Sequence, residues 1–318
     1  NFTPDEYGAS SQTWAFEEGN DGLIYIGNGN GVIEYDGHSW RVIQLPKNST
    51  VRSLSKSENG TIYVGAVDEI GYLGKDEFGN TKYISLKPKM REEIKDFGDI
   101  WSIGVLNDTV FFQSDDFLFR WDGDDFQVWR PKVRFENVFI VHENVFVISK
   151  NEGILTPKGN ILNLISSGDY FAERADRIQF MEALNEDQVL IGLWYGGLYI
   201  YDGQNFKEFK TEAQQLFQEE SIYCGKALNN GNFAIATLNS GIFILGGASG
   251  KILEHFGLEQ GLLSNSAVNL FNDSKGILWL ASGKGISKIE PLSPIRKFDK
   301  RKGLNEFIFS VVYDKDNL

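Results

Sequence analysis

Asp21 to Trp40, DGLIYIGNGNGVIEYDGHSW, reads as one unit of a repeating β structure. A turn at Asp21-Gly22 leads into the β-rich run Leu23 to Ile26. A glycine-bearing loop from Gly27 to Gly31 separates that run from Val32 to Tyr35, and Asp36-Gly37 turns the chain again. Asp-Gly suits tight turns because glycine tolerates positive backbone angles and aspartate bonds its own backbone. Such a meander cannot bury both faces alone, so it needs copies of itself.

The copies run the length of the chain. Gln12 to Glu17 and Trp40 to Leu45 add a strand on each side, giving four strands per unit. TIYVG at Thr61 to Gly65 begins the same pattern again, and the fifth unit, with QVLIG at 188–192 and GLYIYDG at 197–203, is the clearest copy. The equivalent strand ends are Gly27, Gly65, Gln113, Ile148, Gly192, Ala236 and Ala281, spaced 38, 48, 35, 44, 44 and 45 residues apart. An interval of about 42 residues is that of a propeller blade and exceeds the usual helical repeats. The expected fold is therefore all-β: a seven-bladed β-propeller of four-stranded antiparallel blades over residues 1–306. The seventh blade is expected to take its last strand from Ile295 to Phe298, while 307–318 starts a further blade or closes the ring. Small residues at the ends of the second strands are read as fitting a crowded approach to the axis. Two interruptions stand outside the pattern: a charged insertion with one helical turn at Lys87 to Gly98, and a short helix within Thr211 to Glu220.

Composition agrees with many short strands: 34 Gly against 7 Pro, and 14% aromatic residues. The formal net charge of -13 opposes a general nucleic-acid scaffold, which needs a basic footprint. Cys224 is the one cysteine, so it makes no internal disulfide, and its setting in SIYCGKAL places it on a buried inner strand. No apolar run approaches the roughly 18 residues of a spanning helix, and NFTPDEYG is not a signal peptide; membrane attachment is expected only through parts outside this chain.

The signatures IYIGNGNGVIEYDG, VLIGLWYGGLYIYDG and ILWLASGKGISKI resemble the two-component regulator propeller repeats of bacterial hybrid histidine kinases and related membrane-bound transcription regulators. The likeness covers all seven units and is clearest in the first, fifth and seventh. It implies a periplasmic sensor region of an inner-membrane receptor, with further domains leading to a kinase or DNA-binding output. It also implies recognition of a glycan-derived ligand. Kinase and helix-turn-helix motifs are absent from this sequence, so this fragment is expected to neither phosphorylate nor bind nucleic acid.

Loops joining second and third strands gather at one mouth of a propeller's channel. Asn28, Asn30, Asp68, Asp115, Trp194, Tyr195, Asn239 and Lys284 fall on such loops and are the ligand-binding candidates. Polar side chains satisfy ligand hydroxyls, and an aromatic face stacks on a sugar or apolar group. Each polar candidate has an ordinary role in turn formation as its alternative, and Trp194-Tyr195 has interblade packing. The repeated Tyr35-Asp36-Gly37, Trp121-Asp122-Gly123 and Tyr201-Asp202-Gly203 are read as turn caps, not active sites. His38, His142 and His255 form no short metal-ligand pattern, and no glycine-rich loop has the phosphate-binding spacing.

No catalytic residue, metal or cofactor is expected. The leading function is periplasmic ligand sensing, of an oligosaccharide or other small molecule, with downstream receptor domains and a second protomer as further partners. The competing functions are a structural dimerisation or protein-interaction propeller, and a carbohydrate-active hydrolase or lyase needing two facing carboxylates.

Overall fold

The computed structural model describes residues 1–173 and 176–293. Six four-stranded antiparallel sheets and one sheet with three described strands make the seven blades of a β-propeller. The innermost strands are Thr13–Glu18, Val51–Lys56, Ser102–Leu106, Phe135–Val141, Ile178–Ala183, Ile222–Ala227 and Asn269–Asn272. Each neighbours the next, and the seventh neighbours the first, so the ring is closed.

The seven strand ends aligned by sequence occupy one register position. Gly27 pairs with Ala15, Gly65 with Ser53, Gln113 with Ser102, and Ile148 with Asn137. Gly192, Ala236 and Ala281 pair likewise with Phe180, Cys224 and Asn269. Second strands such as Ile24–Asn28, Val189–Leu193 and Phe233–Thr237 are buried along their whole length, because each lies between two sheet partners and against adjacent blades.

The reason for their small terminal residues differs from the expected one. First strands, not second strands, line the axis. A Cβ on Gly27 would lie 3.0 Å from Val51 of the next blade, and one on Gly192 would lie 2.0 Å from the Phe180 ring. The small residue makes room for an inner-strand side chain.

The core is distributed. Among the described residues, seven apolar clusters each span one interblade interface. In one of them Phe119, fully buried, meets Phe97, Phe117 and Phe126 at centroid distances of 5.3, 5.3 and 6.2 Å. The charged insertion makes two short 3₁₀ turns, Lys87–Lys89 and Glu92–Ile94, and its Met90, Ile94 and Phe97 bury into that same cluster. The second interruption forms the helix Gln214–Glu219.

The N-terminal segment seals the ring. Phe2 exchanges backbone hydrogen bonds with Ile286 on the third strand of the seventh blade, at 2.7 and 2.9 Å. Its carbonyl faces Gly285 as the Ile43 carbonyl faces Gly31 and the Phe256 carbonyl faces Gly241. Phe2 thus takes the place that the last residue of an outer strand takes in blades one and six. Its ring also packs on Trp40 at 5.0 Å and Tyr35 at 5.6 Å. The expected strand at Ile295 to Phe298 and the segment 307–318 lie outside the described residues.

The Asp-Gly turns behave as expected. Asp36 accepts the amides of His38 and Ser39 at 2.8 and 2.6 Å, and Asp202 accepts those of Gln204 and Asn205 at 3.0 and 2.8 Å. These bonds hold both carboxyls below the usual aspartate range. The glycines that follow, Gly37 and Gly203, have φ of 96° and 88°.

Candidate functional site

Five inner strands carry a β-bulge at the same place, near the end where the second-to-third-strand loops gather. A bulge inserts an unpaired residue and re-aims its side chain. The extra residues are Trp14, Arg52, Glu136, Gln179 and Tyr223. Trp101 and Val268 stand at the matching position of the other two blades, their amides bonded to Gln113 and Ala281 at 2.9 Å. All seven side chains line a central cavity of about 820 Å³.

The fold asks for seven residues here but not for these seven. On one side, the Arg52 guanidinium lies between two indoles, 4.3 Å from the Trp14 ring and 4.9 Å from the Trp101 ring. Its Nε donates to Asp99 at 2.6 Å, which fixes the sandwich. Trp101 is 41% exposed, an unusual place for an indole that only packs. On the other side, Arg134 donates to Glu136 at 2.9 Å, and Arg177 approaches the same carboxylate at 3.7 Å. Between them Trp194 meets Tyr223 at 5.4 Å. The mouth therefore offers flat aromatic faces, guanidinium donors and carboxylate acceptors around one opening.

Three residues deeper, the lining changes. Glu17, Ser55, Phe139, Glu182, Lys226 and Phe271 face the lower channel. Lys226 donates to Glu182 at 2.7 Å, and that carboxylate is the main cause of its raised pKa. Burial raises Glu17, opposed by the amides of Glu18 and Lys56, both at 3.0 Å. Cys224 is half-buried, with Sγ 4.0 Å from the Ala267 carbonyl of the next blade, and burial pushes its thiol up.

Two of the eight sequence candidates, Asp115 and Trp194, line the central cavity. Tyr195 is exposed beside Trp194 at 6.1 Å, its amide held by Asp176 at 3.0 Å. Asn239 and Lys284 are exposed at the tips of the loops in blades six and seven. The remaining three hold the scaffold. Asn28 is fully buried and donates to the Ser10 carbonyl at 2.7 Å and to Thr13 Oγ1 at 3.2 Å. Asn30 accepts the Ser10 amide at 2.7 Å, and Asp68 accepts the amides of Phe97 and Gly98 at 3.0 and 2.8 Å. Their loops are at the mouth, but their polar atoms are spent on neighbouring backbone.

Trp14, Arg52, Trp101, Arg134, Glu136, Arg177 and Tyr223 were not legible as a group from the loops. For Trp14, Arg52, Trp101, Glu136 and Tyr223 the signal is register: one place before each aligned inner-strand pair member, large and mutually unlike residues recur. Among the described residues no three His, Cys, Asp or Glu side chains gather as a metal-ligand group.

No protein-family model matches the sequence, and no curated protein compared with it is a significant match. Solved structures do match. The extracellular domain of BT4673 from B. thetaiotaomicron, described as part of a hybrid two-component system, superposes with a TM-score of 0.67 at 19% identity. That match covers 88% of this chain and 38% of the other, so this chain spans well under half of that domain. Virginiamycin B lyase from Staphylococcus aureus gives 0.65 at 13% identity, covering 89% and 95%. The WD40 propeller domain of Doa1 gives 0.65 at 14%, covering 88% and 93%. These likenesses define the class: this chain is a seven-bladed β-propeller of the architecture found in the extracellular region of BT4673. At such identities they speak to the fold, which lyases and WD40 domains also use.

Proposed function

We propose that this propeller is the ligand-sensing domain of a bacterial signalling receptor, displayed outside the cytoplasm, and that its ligand sits at the channel mouth. The observation that carries the reading is the Trp14–Arg52–Trp101 sandwich facing the Trp194–Tyr223 pair across the opening. The blade fold does not require these aromatic faces, and exposed aromatic surface beside directed polar groups is the composition of a saccharide-type site. The sequence likeness to two-component regulator propellers and the fold shared with BT4673 support the receptor context. Among the described residues no helix is long and apolar enough to cross a membrane.

Sensing requires a ligand that favours one receptor arrangement over another, so binding at the mouth would shift how this propeller meets its neighbours or a second protomer. Isothermal titration of the folded domain against an oligosaccharide panel tests the reading. Binding without product formation is expected, and it is expected to weaken when Trp101 or Trp194 is replaced by Ala. Turnover of a bound saccharide would replace sensing by catalysis. A panel with no binder, tested on the intact receptor, would remove the ligand claim.

A further inference from the structure

The wall of the mouth between blades four and five carries an unfinished donor edge. Glu136 occupies only Nη2 of the Arg134 guanidinium, at 2.9 Å. The Nε of Arg134 is buried and has no hydrogen-bond partner among the described residues. Across the opening, Trp14 Nε1 is buried and unpartnered in the same way. Buried donors left unsatisfied are costly, so two at one mouth point to acceptors that arrive with a ligand.

The same wall separates two spaces. A second cavity of about 510 Å³ lies off the axis, reached past Ser149, Lys150 and Asn151 of blade four and Phe171. Arg134, Glu136 and Arg177 line both cavities. The two guanidiniums share one Glu136 carboxylate, Arg177 being the more distant at 3.7 Å. Asp176, which also lines the second cavity, spends Oδ1 on the amides of Arg177 and Tyr195, each at 3.0 Å. Two cations converging on one carboxylate, with the buried Nε–H of one of them left without an acceptor, fit an oxyanion: carboxylate and sulfate both accept the parallel Nε–H and Nη–H pair.

The geometry points to an anionic saccharide as the ligand, its carboxylate or sulfate held by Arg134 and Arg177 and its rings extending from the channel axis into the cavity between blades four and five. This inference rests on the ligand-sensing reading and sharpens it: the aromatic faces hold sugar rings, and the arginine pair selects those bearing charge. Glu136 keeps the guanidiniums aligned when no ligand is present and competes with the ligand for them.

The test titrates the folded domain with short uronic-acid oligosaccharides, with the same oligosaccharides after carboxyl reduction, and with sulfated disaccharides and their desulfated forms. Reduction leaves ring and linkage unchanged, so any difference reports the charged group. The charged form is expected to bind at least about tenfold more tightly than its neutral counterpart. Arg134→Lys keeps the charge but loses the fork, and should remove most of that preference. Glu136→Gln should act in the opposite direction, tightening the charged ligand by about threefold or more because it removes the competitor. A gain of this kind is not produced by loss of structure. Whichever of the uronate and sulfate series shows the preference identifies the anion. Equal or tighter binding of neutral forms, or weakened charged binding in Glu136→Gln, overturns the clamp and leaves ligand sensing standing. Failure of all four ligand types to bind the folded domain counts against both.

Discussion

The two ends of this propeller are built by opposite rules. At the end carrying the turns into the outer strands, blades one, three and five repeat one solution: an aspartate caps the turn and a glycine follows at positive φ, as at Asp36-Gly37, Asp122-Gly123 and Asp202-Gly203. At the mouth, the seven equivalent positions, five of them bulged, hold Trp14, Arg52, Trp101, Glu136, Gln179, Tyr223 and Val268, with no two blades alike except for the two tryptophans. Repetition marks what the backbone needs, and divergence at a fixed position marks what the backbone leaves free. The mouth is free to serve a ligand because the seven interblade clusters hold the ring without it.

Scaffold and mouth substitutions should therefore separate stability from binding. Phe119→Ala removes a fully buried ring from the cluster between blades two and three. It should lower the unfolding free energy by about 3–5 kcal/mol in urea titrations, while the protein that remains folded binds normally. Trp194→Ala should do the converse, weakening ligand affinity by about tenfold with little change in melting temperature. A large melting shift in Trp194→Ala would return that residue to interblade packing.

Smaller effects come from the titrating groups. Burial raises the folded pKa of Glu17, so its contribution is full below the unfolded value and is lost as pH rises through the folded one. Glu17→Gln should therefore match the wild type near pH 4 and melt higher than it near pH 7. Thermal melts at both pH values check this, and a variant less stable at neutral pH would contradict it. Asp202 has the opposite sign: its folded pKa is lowered by the turn amides, so its contribution is present at neutral pH and lost as pH falls through the folded value. Asp202→Asn should melt only about 1 °C lower at pH 7 and converge with the wild type in acid.

The scaffold half of this comparison was legible in the sequence. Asp-Gly turns, whole-buried second strands and the spacing of Gly27 through Ala281 all follow from local backbone chemistry, and the structure places those seven strand ends in one register. The mouth was legible in part. Loop position leads to Trp194 and Asp115, which line the cavity, and equally to Asn28, Asn30 and Asp68, whose polar atoms bond to backbone inside the scaffold. Alternation gives no warning of Trp14, Arg52 or Tyr223, because a bulge breaks the two-residue period at that point. Arg134 and Arg177 precede their inner strands and carry no motif; only the closed ring brings them to one carboxylate.

The most direct measurement is a co-crystal structure of the domain with the tightest oligosaccharide from the titration panel. Ligand density at the mouth, with a ring against Trp194 and Tyr223 or against Trp101, is the predicted result. Density confined to the outer strands or to the Asp-Gly end of the channel, with the mouth empty, would contradict it.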